Sequence, residues 1–235
     1  MTRRLLIINP NTSADITAAV ADLVTQAGPP DVTVQAVTAR FGAPYIACEA
    51  SYAVAAHATL DAWRHATQGQ ATVPDGIVIG CFGDPGLHAL RELADCPVTS
   101  LAEAAVAEAA RHGRCAIVTG GHAWKPMLQR LLPFLAGGQH VQDIETVELS
   151  GAQLRADPVA AQDVLVAACQ RVLARQPLEA IVMGGAGLAG MAAALQPRVP
   201  VPLIDSVAAA AYGIWQAVPS AAQGCPPWLG HKVVS

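Results

Sequence analysis

The sequence predicts an α/β fold built from two similar halves, each with a parallel sheet. Three observations carry that expectation. Short apolar runs alternate with longer Ala-rich segments along the 235 residues, the pattern of strands joined by crossover helices. Several of those runs are continuously apolar, as parallel strands covered on both faces are. Three stretches also recur in the same order. "LLIINPNTS" is echoed by "CAIVTGGHA", "IVIGCFGDPG" by "IVMGGAGLAG", and "PVTSLAEAA" by "PLIDSVAAA", at offsets of 110, 104 and 105 residues. One such pair is what any two strands with Gly-rich turns look like. Three ordered pairs at nearly one offset point to duplication, and a period this long means two domains rather than a solenoid.

The strands expected in chain order are Leu5–Ile8, Val32–Ala36, Gly76–Ile79, Val98–Ser100, Cys115–Val118, Glu145–Val147, Ala180–Met183 and Pro202–Ile204. A helix follows Asn11, capped by Thr or Ser, and runs to about Gln26. Further helices are expected over Cys48–Thr67, Pro85–Ala94, Leu101–His112, Trp124–Leu135, Pro158–Arg175 and Val207–Gln216. Asp157 and Pro158 form a good helix start, Asp as cap and Pro at the first position. The tail "PSAAQGCPPWLGHKVVS" loses periodicity and is expected to be a partly ordered extension; Cys225 and His231 lie in it and receive no role. The domains expected are residues 1–97 with 208–235, and residues 98–207.

Composition narrows the function. The apolar fraction is 53% and the charged fraction 14%, enough to build a core and unlike a disordered chain. The net charge of −4 and the lack of a Lys/Arg cluster give nucleic-acid binding no support. No apolar run is long enough for a transmembrane helix, and Leu5–Ile8 is too short for a signal-peptide core. A cytoplasmic protein with no membrane partner is the expectation. The six Cys form no C-x-x-C and no zinc spacing, so no metal site is expected.

In open α/β sheets, ligands bind beyond the carboxyl ends of the strands. Four turns sit there: Asn9 to Thr12, Cys81 to Asp84, Thr119 to Gly121, and Gly185 to Gly187. Two facing halves bring all four to one cleft. Glycines let backbone N–H groups approach a ligand. No G-x-x-x-x-G-K-[ST] pattern is present and no G-x-G-x-x-G follows the first strand, so no nucleotide cofactor is implied, and small polar acyl or imide substrates fit better. Cys81 lies four residues before Pro85, read as the first residue of a helix, where the helix dipole lowers a thiol pKa. A reactive thiol and a small turn-filling residue are both open readings. Asp84 caps the helix at Pro85 or takes part in catalysis. Asn11 is a ligand contact, a turn residue or a cap. Thr119 bonds a ligand carbonyl or closes its own turn. His122, in "GGHAW", is read as an exposed helix-start residue, and His57 and His65 as structural.

"INPNTS", "GCFGDPGLHALREL", "IVTGGHAWKPML" and "PLIDSVAAA" together resemble the hydantoin racemase family, which includes allantoin racemases and belongs to the aspartate/glutamate racemase superfamily. The likeness spans residues 3 to 216. It implies two Rossmann-like domains related by a pseudo-two-fold axis, with the active site between them, homo-oligomers, and cofactor-independent racemisation of a small-molecule substrate. It further implies two cysteines flanking the stereocentre, one removing the C5 proton of a hydantoin ring and the other returning a proton to the opposite face. By position, Cys81 is one of them, and Asn11, Phe82, Gly83, Thr119, Gly120, Gly121 and Ala186 surround the ring. The chain departs from the family at Gly185, where the second cysteine belongs. Cys169, inside an expected helix, does not replace it. An impaired racemase, a one-sided enzyme like the arylmalonate decarboxylases, and a non-catalytic binder are the readings this leaves.

Overall fold

β1 (Arg3–Asn9) is apolar over its whole inner stretch, and Leu5, Leu6, Ile7 and Ile8 are all buried. It pairs in parallel with β2 (Val32–Thr38) on one side and β3 (Gly76–Ile79) on the other. β4 (Val98–Ser100) pairs with β3. The second sheet repeats this plan with β5 (Cys115–Gly120), β6 (Val141–Val147), β7 (Ala180–Gly184) and β8 (Leu203–Asp205). The orders are β2-β1-β3-β4 and β6-β5-β7-β8, the same arrangement twice. The structure, a computed structural model, describes residues 3–29, 31–69 and 73–218. The tail from 219 onward, with Cys225 and His231, lies outside the described residues.

All eight expected strands form. Residues on β5 and β7 alternate between two cores, as a strand's period of two requires. Cys115, Ile117, Ala180 and Val182 face the core shared with the first sheet. Ala116, Val118, Ile181 and Met183 face the outer core of the second sheet. Both faces are therefore dry, which explains the continuous apolar runs.

Helices cover both faces. α1 (Ala14–Ala27) is capped by Ser13, whose side chain accepts from the Ile16 N–H, and it buries Ile16, Val20 and Val24 along one stripe. α2 (Glu49–Thr67) follows β2 after the irregular segment 39–48. α3 (Leu87–Leu93) starts two residues later than expected. α4 (Leu101–Ala110) follows β4, and α5 (Trp124–Leu131) follows β5 and tightens into a 3₁₀ turn at Leu132–Phe134. α7 (Pro158–Arg175) has the expected Asp157 cap and leading Pro158. α9 (Ser206–Ala217) is capped by Asp205. Two short helices were not expected: α6 (Gly151–Ala156) and α8 (Met191–Leu195). α6 opens on a capping box, with Ser150 and Gln153 satisfying each other's backbone N–H groups; that S-x-x-Q spacing was readable in the sequence.

The helix after the fourth strand of each sheet crosses to the other sheet. α4 packs on β7, α9 packs on β3, and the two Ala-rich helices pack on each other. Small side chains permit that close approach. β4 itself pairs with β3, so a boundary at 97/98 separates it from its own sheet. We propose the two halves as units with β4 counted in the first. No helix of the described residues is long and apolar enough to cross a membrane.

Candidate active site

The carboxyl ends of β1, β3, β5 and β7 deliver their turns to one cavity. Asn11, Cys81, Phe82, Thr119, Gly120, Gly185 and Ala186 line it, seven of the positions singled out in the sequence. Gly83 and Gly121 stand one layer back. A Cβ on Gly83 would meet the Trp124 ring at 2.6 Å, and one on Gly121 would meet that ring at 3.6 Å. His122 is exposed and pairs with the Thr146 hydroxyl at 3.0 Å. Cys169 is buried in the outer core of the second sheet.

Asn11 is held by a buried network. Asn9 donates its amide to Asn11 Oδ1 at 2.8 Å, to the Ser13 carbonyl at 3.0 Å and to Thr17 Oγ1 at 2.9 Å. The Ser13 N–H also donates to Asn11 Oδ1, at 2.9 Å. Backbone donation there fixes which end of the amide is oxygen and leaves the Asn11 NH₂ as a donor at the cavity wall.

Cys81 leaves β3 in a tight turn, its N–H donating to the Ile79 carbonyl at 2.9 Å. It is only 6% exposed. Burial pushes its thiol well above the ordinary range, and the charge of Asp84 adds to the effect. The expected dipole-lowered thiol is therefore not what the fold produces. The reason is local. Gly86, with φ of +79°, caps α3, so the helix begins at Leu87 and not at Pro85. Seven residues of helix, set off by that turn, do not offset desolvation.

Asp84 also has a different job from the one expected. Its carboxylate accepts from the N–H groups of Ala102 and Glu103, at 3.0 and 2.9 Å. It caps α4, not α3. It does so from the left-handed region, with φ of 57°. Burial raises its pKa to about 7 against the opposing pull of those donors. In the second half, Asp205 meets the same need by capping α9 through Val207 and Ala208.

Thr119 does not close its own turn: its hydroxyl donates across the sheet to the Gly184 carbonyl at 2.6 Å. Phe82 reaches over from the first half to cover Gly184, where a Cβ would fall 2.5 Å from its ring. Gly185 follows with φ of +135° and ψ of 139°, a conformation that side-chain-bearing residues rarely adopt. Space is not the obstacle, since a Cβ there would meet nothing nearer than Thr119 Oγ1 at 3.8 Å. Its N–H donates to Ser206 Oγ at 3.2 Å.

Sequence reasoning missed the cavity's larger walls. Ile16, Tyr45, Ile46, Trp124 and Leu188 also line it. Tyr45 and Ile46 come from the irregular segment 39–48, where no periodicity marks a site residue. Trp124 stood in the quoted "GGHAW" stretch but offered no titratable group to attract notice. Among the described residues, none lining the cavity carries a formally charged side chain.

The family model described as Asp/Glu/hydantoin racemase matches residues 5–212. A hydantoin racemase of Paenarthrobacter aurescens is 32% identical over 208 residues, covering 88% of this chain and 87% of that protein. A hydantoin racemase of a Pseudomonas strain is 30% identical over 207 residues, covering 88% and 82%. The solved allantoin racemase from Klebsiella pneumoniae is 34% identical with a TM-score of 0.84, over 91% of this chain and 86% of that one. With two matching parallel sheets whose strand ends meet at one cysteine-bearing cavity, the chain belongs to the Asp/Glu/hydantoin racemase family of isomerases.

Proposed function

We propose that this chain acts on the C5 proton of neutral, 5-substituted hydantoins, with Cys81 working from one face and no thiol on the other. The observation that carries the substrate class is the uncharged wall of the cavity. A free amino acid or a malonate brings full charges, and burying them without ionic partners is costly. A hydantoin ring is neutral and offers carbonyl and N–H groups to an amide, a hydroxyl and backbone donors. Ile16, Ile46, Trp124 and Leu188 suit an apolar C5 substituent better than the polar ureido group of allantoin.

The chemistry follows from the ring. Carbonyl and nitrogen substituents acidify C5, and the Cys81 thiolate takes its proton to leave a planar enolate. The Asn11 NH₂ and the Phe82 and Ala186 N–H groups are the proposed donors to the developing oxyanion. Thr119, Gly120 and Gly121 shape the wall behind them. Racemisation needs proton return from the opposite face, and Gly185 supplies no acid there. A general acid or base is worth about 10²–10⁴-fold, so racemisation is slow.

A one-sided enzyme that removes or delivers a proton on the Cys81 face without racemising is the second reading, and the backbone at Gly185 favours it. A φ of +135° means the turn is built around glycine and is not a cysteine turn with its side chain removed. Restoration tests the first reading. Gly185→Cys is expected to raise racemisation of a 5-substituted hydantoin about 10²-fold, the lower end of that range, because the turn must shift to seat the thiol. An unchanged rate contradicts the assignment of this position as the missing acid–base group.

A further inference from the structure

We infer that Tyr45 is a positioning residue that latches the segment 39–48 across the cavity mouth and so controls access to Cys81. The inference goes beyond the proposed reaction and stands whatever the substrate. Tyr45 belongs to the first half by sequence, yet the partners of its hydroxyl, the Gly120 and Gly151 backbone and the Trp124 side chain, lie in the second half. It donates to the Gly120 carbonyl at 3.3 Å and accepts from the Gly151 N–H at 3.1 Å. Those two groups stand at the carboxyl end of β5 and the first residue of α6. One phenol thus ties three chain segments together beside the cavity it lines.

A second tie lies just beyond it. Glu49, the first residue of α2, pairs with Arg130 of α5, with Nη2 to Oε2 at 2.9 Å. The same guanidinium lies over the Tyr52 ring, 6.0 Å from its centre. Between the two ties the segment has no regular structure, and Ile46 is buried against the cavity while Ala47 and Cys48 face solvent. The Gly42 end is held to the first half, where the Thr12 N–H donates to the Ala43 carbonyl at 3.1 Å. The geometry is that of a strap fixed at its own half and fastened to the other by a few polar contacts. Such contacts break at small cost because water replaces them, whereas the strap's ends stay anchored. Cys81 sits beneath, nearly sealed.

The test is the alkylation rate of each cysteine, read by peptide mass spectrometry on the full chain treated with iodoacetamide. Cys115 and Cys169, fully buried in the two cores, report global opening. Tyr45→Phe keeps the ring and is expected to speed Cys81 alkylation about threefold to tenfold, the range of one or two lost hydrogen bonds, with Cys115 and Cys169 unchanged. Arg130→Gln, at an exposed pair, is expected to give a smaller rise of the same kind and guards against a Tyr45 variant that fails to fold. An unchanged Cys81 rate in both variants overturns the latch. So does an equal rise at all three cysteines, which means the variants loosen the whole fold.

Discussion

Cys81 sits where both of its electrostatic influences favour the neutral thiol. Burial withdraws water from the thiolate, and the nearby Asp84 carboxylate repels it. At neutral pH the group is therefore held mainly as the neutral thiol, and in the proposed reaction it acts as a base only through its minor ionised form. Below its pKa the ionised fraction grows tenfold per pH unit. The rate of C5 proton removal is expected to climb with a slope near one from about pH 7 to pH 10. A plateau below pH 9 contradicts the burial argument. The sequence made Cys81 visible, because a thiol between a strand end and a Gly-Asp-Pro-Gly run stands out. It did not reveal the thiol's ionisation. That depends on where α3 begins, and the left-handed Gly86 moved that start away from the cysteine.

Among the elements, α4 and α9 show how one requirement is met in two ways. Each helix follows a fourth strand, crosses to the opposite sheet and needs its first N–H groups satisfied. Asp205 caps α9 from the residue just before it. α4 is capped instead from the Cys81 turn, by Asp84. The cap therefore also fixes the turn that presents the thiol. Asp84 binds its proton more tightly folded than unfolded, since its native pKa is raised to about 7 from the ordinary aspartate value of 3.8. Its contribution is fully present below about pH 4 and is lost as the pH rises through 7. Asp84→Asn is expected to flatten that part of the stability–pH profile. It also weakens the cap, at about 1 kcal/mol, and lowers the pH at which Cys81 ionises. Chemical denaturation from pH 4 to 8 checks this, and an unaltered slope in the variant contradicts it. Strand positions were legible because apolar runs of this length have few other fates. The target of the Asp84 carboxylate was not, because its partners lie 18 and 19 residues away.

At the scale of the molecule, duplication explains why the cavity lies where it does. Equivalent strand orders bring equivalent turns together, and ordered echoes in the sequence announced that arrangement. The cavity's asymmetry was also partly legible, since Gly185 is a glycine where Cys81 has its thiol. Two features were hidden. The left-handed backbone at Gly185 is a property of the folded turn, and the Tyr45 strap depends on contacts between halves that no local pattern encodes. Together they make the cleft one-handed: a thiol on one wall, a glycine turn on the other, and an aromatic strap across the mouth. The most direct test follows each enantiomer of an apolar 5-substituted hydantoin separately in heavy water, recording deuterium at C5 and configuration together. Exchange of one enantiomer much faster than the other, with configuration largely retained and with loss of exchange in Cys81→Ser, is the predicted result. Equal exchange of both enantiomers, or exchange that survives Cys81→Ser, would contradict a site that works from Cys81 alone.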